Sequence, residues 1–426
     1  MSGVWLLLGL LLFAYAGSML LGSGKARGYG LPSGAEYLLL GVVLGPHFLS
    51  AVPRASVLTF QPLMLAALGW LCAVVGVDYG VVGERRIVRG SALLGVALGV
   101  LSSGAAFAAV MWVGVRFLHQ SLLTLLPLAL SLAICLSETT RHAVRMVGER
   151  HNASGPLTDL LSDVADADDL FPIVGTAILL CFAPSSPGWS LWVQLGVTIG
   201  AGAGLGAVTA TLMGRHLRTD ETWGLILGAA LLGIGVSTHL QLSPLTLMFA
   251  FGVALANVSR RGVELRAMMA DSERLVLPPM LLLAGALIDL RLSAHIWLLV
   301  GAALLGRLAS RALGGTLLML RSEARGAGAG LGLATTPAGA MSVCVGLLVY
   351  IRFPAEIGGA ALTACVLSSF VGELIGTSAL KRCLRKKGEI SVDSRRGADL
   401  QRSVDSQRSA DSQRSVAPLT PEEEAS

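Results

Sequence analysis

Long apolar runs separated by short polar stretches recur along the chain as far as about position 387. The hydrocarbon layer of a bilayer needs about 20 mostly apolar residues per helix. Thirteen such runs are present, near 3–21, 34–50, 61–79, 90–112, 122–147, 156–182, 191–213, 223–238, 241–257, 275–290, 294–320, 327–350 and 356–382. The first ends in small residues like a secretory signal, but it lacks a basic start, and Lys25 and Arg27 follow it. That order predicts a retained helix with the N-terminus outside.

The basic residues sort by loop. One alternating set of loops holds Lys25 and Arg27; Arg85, Arg86 and Arg89; Arg141, Arg145 and Arg150; Arg215 and Arg218; Arg260, Arg261, Arg266 and Arg274; Arg321 and Arg325; and the basic run 381–387. The other set holds only Arg54, Arg116, Arg291 and Arg352. Loops rich in Lys and Arg stay cytoplasmic, so the C-terminus is placed inside.

Composition agrees with a polytopic membrane protein: 54% hydrophobic, 14% charged, mean hydropathy +0.70 and 52 glycines. A soluble enzyme and a disordered scaffold are excluded. The net charge of +5 sits in loops flanking the spans, which argues against a nucleic-acid partner. Six cysteines lie in or beside apolar segments without paired spacing, so neither a disulfide framework nor a zinc site is predicted. The glycine run GAGAGLG (326–332) misses the dinucleotide spacing and leads into a span, and no nucleotide-binding domain is predicted. From Gly388 the chain turns to Ser, Asp, Gln and Arg with near-repeats SVDSRR (391–396), SVDSQR (403–408) and SADSQR (409–414). Such a segment buries too little apolar surface to fold, predicting a disordered cytoplasmic tail over 388–426 behind a membrane domain over 1–387.

Sliding the chain on itself by 211 positions sets LLLGVVLGP (38–46) over FAFGVALAN (249–257), Gly41 on Gly252, and Asp78 on Asp289. A shift of seven spans reverses the direction of travel, so the two halves read as inverted-topology repeats, a transporter architecture. The same pairing sends the fifth span to the twelfth. The fifth is interrupted by Ser137, Glu138, Thr139 and Thr140, and the twelfth by Thr335, Thr336, Pro337, Ala338 and Gly339. Broken segments in corresponding spans point to a substrate site, because unwound backbone exposes carbonyls and half-helix ends carry partial charge.

Span six reads PLTDLLSDVADADDLFPIVGTAILLCF, with Asp168 and Asp169 about 18 Å along a helix from Pro156. A carboxylate near mid-membrane is a functional hypothesis by default. Paired acids with threonine hydroxyls and backbone carbonyls are the donor types of a hard monovalent cation. Asp163 and Asp166, nearer the cytoplasm, read as an acidic funnel or equally as a solvated helix end. Arg307, mid-span in GAALLGRLASRALGG, is expected to pair with Asp168 or Glu138. Arg311, one turn on, is expected to snorkel. His142 and His239 read as residues at membrane exits rather than proton carriers.

These stretches resemble the monovalent cation:proton antiporters, in the bacterial branch of Kef-type and sodium/proton exchangers, over essentially all of 1–387. LPSGAEYLLLGVVLGP (31–46), GWLCAVVGVDYG (69–80), DDLFPIVGTAILL (168–180), PPMLLLAGALIDL (278–290), GLGLATTPAGA (330–340) and VLSSFVGELIGTSALKRCLRK (366–386) carry the likeness. The resemblance implies an all-α fold of about 13 helices with crossed discontinuous helices. It implies a homodimer through about 1–80 and 223–290, and a mobile core of about 90–183 and 294–382. Asp169 would bind the ion and the proton with Asp168, Thr139 and Glu138 beside it, and Arg307 would face the pair. Ala338 and Ala340 depart from the family, as do Glu138, Arg141 and His142 in the fifth-span break.

The expected activity is exchange of Na⁺ or K⁺ for protons by alternating access, with no cofactor and no enzymatic chemistry. The rival readings are a uniporting K⁺ efflux protein of the same fold and a non-transporting sensor or scaffold. High Ala, Gly, Leu and Arg usage suggests a bacterial inner membrane.

Overall fold

The computed structural model describes Gly9 and residues 34–50, 52, 54–80, 89–214, 219–259, 261–328 and 330–390. The expected first span and the tail repeats lie outside these residues. Among the described residues every regular element is helical: α1 (Ala35–Leu44), α2 (Arg54–Leu58), α3 (Gln61–Gly80), α4 (Arg89–Arg116), α5 (Leu122–Cys135), α6 (Arg141–His151), α7 (Pro156–Asp168) and α8 (Leu170–Leu180). Then come α9 (Leu191–Met213), α10 (Thr219–His239), α11 (Pro244–Val258), α12 (Gly262–Ala286), α13 (Ala294–Leu318), a 3₁₀ turn at Leu333–Thr335, α14 (Ala340–Arg352) and α15 (Ala355–Lys386).

Helix starts reflect local chemistry. The hydroxyls of Ser121, Ser243 and Ser293 accept from the amides of Thr124, Thr246 and Ile296, capping α5, α11 and α13. Among the described residues six helices are individually long and apolar enough to cross a bilayer. Three more spans are assembled from two pieces each: α5 with α6, α7 with α8, and the 3₁₀ turn with α14. The first and third interruptions fall at the predicted breaks. The second corrects the sequence reading, which took span six as continuous. Pro172 has no N–H to give the Asp168 carbonyl four residues back, so α7 ends at Asp168 and α8 restarts at Leu170.

Two sets of helices pack among themselves. In one, α1 packs on α12, α3 on α11 and α12, and α11 on α9 and α10. In the other, α4 packs on α5, α7 and α13, while α15 packs on α5, α13, α14 and the 3₁₀ turn. The inverted repeat is visible in the first set as two equivalent crossings. A Cβ at Gly41 would overlap the Leu282 carbonyl, and one at Gly285 would overlap that of Leu38. A Cβ at Gly252 would likewise overlap the Ala73 carbonyl, and one at Gly76 that of Phe249. Leu38 and Gly41 thus match Phe249 and Gly252 at the expected offset of 211. The partner helices match two residues out of that register, Ala73 with Leu282 and Gly76 with Gly285, so Asp78 and Asp289 are not crossing equivalents. Backbone contact through missing Cβ atoms fixes the register here, and carboxylates outside the contact do not.

α15 closes with Gly388 in the left-handed region (φ 72°), and Glu389 and Ile390 fold back onto the helices at the start of α7, Ile390 buried in one apolar cluster with Leu157, Leu161 and Leu384. Residues 388–390, which the sequence reading placed in the tail, are thus packed on the helices.

Candidate functional site

The two broken spans meet at their interruptions. The Thr140 amide donates to the Pro337 carbonyl at 2.9 Å, and the Thr139 hydroxyl to the Thr335 carbonyl at 3.0 Å. Around this crossing, four helix ends lie inside the molecule: the C-terminal ends of α5 and the 3₁₀ turn, and the N-terminal ends of α6 and α14. Each end carries partial charge that needs a counter-charge away from water.

α13 supplies the cations. Arg307, 2% exposed, donates to the carbonyls of Leu136, Glu138 (2.6 Å) and Thr336 (2.9 Å). Its expected pairing with Asp168 or Glu138 is replaced by backbone, because a planar guanidinium with five donors matches a cluster of C-terminal carbonyls. Arg311, expected at the membrane surface, is fully buried. It donates to Asp168 Oδ2 at 3.1 Å and to the Ser137 carbonyl. The signal for it was the spacing: Arg307 and Arg311 are four apart, on one helix face.

The carboxylates divide by partner. Asp168 accepts from Arg311 and, at Oδ1, from the Thr139 amide at 2.9 Å, just ahead of α6. Glu138, expected beside the ion, turns instead to the N-terminal end of α14 and accepts the Ser342 amide. Asp169 is different. Its Oδ1 is buried without a hydrogen-bond partner among the described residues. Three acids face two guanidiniums, and Asp169, which stands at the start of α8, makes no side-chain capping bond there.

Asp166 and Asp78 are engaged as well. Asp166 pairs with Arg141 at 2.9 Å, and Arg141 also reaches Asp78 of α3 at 3.6 Å. Asp78 pairs with Arg266 at 2.7 Å. His142 lies 3.4 Å from Glu273 of α12, while His239 ends α10 in an exposed turn. Asp163 is half-buried. At the opposite end Arg54 lies 3.5 Å from Asp289 and donates to the Tyr350 hydroxyl at 2.7 Å. The two helix sets are thereby tied at both ends. Of the predicted residues, Ser137, Thr139, Thr140, Thr335, Thr336, Pro337 and Asp168 converge at the crossing, and Gly339 lies against Glu138 and Thr140.

An all-helical bundle of inverted repeats, with two interrupted helices crossing beside buried acids, defines a secondary-transporter fold. Residues 10–382 match the family model described as sodium/hydrogen exchanger, transmembrane, and the chain belongs to that family of integral membrane proteins. Two solved structures of the sodium proton antiporter MjNhaP1 from Methanocaldococcus jannaschii share the fold at 16% identity. One, determined at pH 8, has a TM-score of 0.65 over 90% of this chain and 99% of the other. The second, from an electron-microscopy map, has 0.63 over 91% and 98%. No curated protein sequence matches the chain.

Proposed function

We propose that Asp169 is the single carboxylate for which a monovalent cation and a proton compete. The protein is a cation:proton antiporter, and family membership favours this over a uniporter or a scaffold. The observation that carries the assignment is the bare Asp169 oxygen in a site whose other charges are matched. Deprotonated, Asp169 leaves one net negative charge among the breaks, with threonine hydroxyls and carbonyls as further oxygen donors for Na⁺ or K⁺. Protonated, the site is neutral and releases the cation. Asp168, Thr139 and Glu138 then hold the crossing in shape, and Arg307 and Arg311 neutralise its carbonyl ends.

Alternating access results if the helices carrying this site, about 90–183 and 294–382, move against those of about 1–80 and 223–290. The latter would also form a homodimer. Loop charges favour an outside N-terminus, and the Ala, Gly, Leu and Arg usage a bacterial inner membrane. The reading requires no cofactor.

The test is proton flux in proteoliposomes holding a pH gradient, with Na⁺, Li⁺ and K⁺ added in turn. Wild type should collapse the gradient with at least one cation and Asp169→Asn with none. Equal collapse by both would remove Asp169 from the exchange.

A further inference from the structure

The helix that brings Asp168 and Asp169 to the site starts without a cap of its own. Gly155, at its N-cap, has no side chain to offer, and Pro156 has no N–H. The free amides of Leu157 and Thr158 are taken by a residue more than 230 positions away in sequence. Glu389 accepts from the Leu157 amide at 2.7 Å, the Thr158 amide at 2.9 Å and the Thr158 hydroxyl at 2.7 Å. A carboxylate at this end also meets the positive pole of the helix dipole.

Glu389 is itself held. The Gly388 amide donates to the Arg385 carbonyl at 3.1 Å and the Glu389 amide to the Leu384 carbonyl at 3.0 Å, a Schellman closure that needs the left-handed Gly388. Ile390 is then buried in one apolar cluster with Leu157, Leu160, Leu161 and Val164 of α7. One short motif therefore ends α15 and begins α7. α15 is in turn seated on the twelfth-span break, where a Cβ at Gly372 would lie 2.6 Å from the Pro337 Cα and 2.8 Å from the Thr336 oxygen. α15 and the closure that follows it thus touch both supports of the site, the helix through Gly372 and the closure through Glu389.

We propose that Glu389 is a positioning residue for cation binding: it fixes the start of α7 and, through about 18 Å of helix, the placement of Asp169. The inference rests on the exchange reading above. A cation needs several oxygens placed together, whereas a proton needs one, so loosening α7 should weaken cation binding and spare protonation. A residue serving only the stability of the fold would lower the amount of active protein and leave the KM unchanged.

The experiment measures cation-driven flux per folded transporter for full-length wild type, Glu389→Ala and Gly155→Ala, with Asp169→Asn beside them. Gly155 has extended backbone (φ 163°, ψ 175°) that alanine also adopts, but its Cβ would lie 2.5 Å from Glu389 Cδ and 2.7 Å from Oε1. Gly155→Ala thus displaces the carboxylate without removing it. In both variants the cation KM should rise about fivefold, as expected for loss of a helix cap that thins the binding-competent population. Vmax per folded molecule should match wild type. A wild-type KM in whichever clasp variant folds overturns the role of Glu389, and so does a fall in Vmax alone. A silent wild type overturns the exchange reading and this inference with it, whereas an active wild type with unmoved variants overturns only the inference.

Discussion

Arg311 on α13 and Asp168 on α7 form an ion pair of 3.1 Å in which neither side chain has any solvent exposure. Removing one partner of such a pair leaves a buried charge without compensation, which is worth about 3–5 kcal/mol. Arg311→Met should therefore lower the thermal unfolding midpoint sharply in detergent, and adding Asp168→Asn should recover most of the loss. If Arg311→Met melts with wild type, the pair contributes nothing to the fold.

Glu138 and Asp169 both lie at the crossing, but Glu138 is buried and accepts the Ser342 amide at the start of α14, whereas the half-buried Asp169 makes no capping bond at the start of α8. Glu138→Gln keeps an acceptor there, so coupled flux should persist within about tenfold of wild type, the range of one charge-assisted hydrogen bond. Asp169→Asn should lose coupling altogether. Complete loss in Glu138→Gln would make Glu138 part of the exchanging site.

The paired crossings predict paired sensitivity. Gly41→Leu and Gly252→Leu each drive a side chain into a facing carbonyl, at Leu282 and Ala73. Each should destabilise by about 3 kcal/mol, the upper range for overpacking. Gly104, which has nothing within 4 Å of its missing Cβ, should accept leucine without loss. Size-exclusion recovery after heating ranks the three.

Asp78 on α3 is bridged by Arg141 on α6 and Arg266 on α12, and so ties the two helix sets at one end. Partly exposed pairs are worth about 1 kcal/mol or less. Asp78→Asn should change the maximal exchange rate by no more than about fivefold, since about 1.4 kcal/mol is tenfold, and leave the cation KM alone. A shifted KM would place Asp78 in the ion path instead.

Competition at one carboxylate has its own signature. Acidification should raise the apparent cation KM with Vmax unchanged, approaching about tenfold per pH unit once protons dominate, by simple mass action. Flux measured across pH with cation titrated at each value decides this. A KM independent of pH would mean that cation and proton occupy separate groups.

The spans, the inverted repeat and two of the three interruptions were legible in the order of residues alone. Each is a local property: the length of an apolar run, a repeated stretch, a proline or a cluster of hydroxyls at one place in the chain. Asp168 and Asp169 were legible too, because a carboxylate in an apolar run stands out without any knowledge of its neighbours. Partner choice was not, since it emerges only when distant helices pack. Arg311 and Asp168 are 143 residues apart, Glu138 and Ser342 are 204 apart, and Glu389 and Leu157 are 232 apart. Which of two arginines four residues apart reaches an acid, and which is taken up by carbonyls, depends on the rotation of α13 against α5 and α7. That rotation is set by close backbone packing, as where Gly306 meets the Ala105 carbonyl and Gly315 meets Gly332, and by no pattern within any single span.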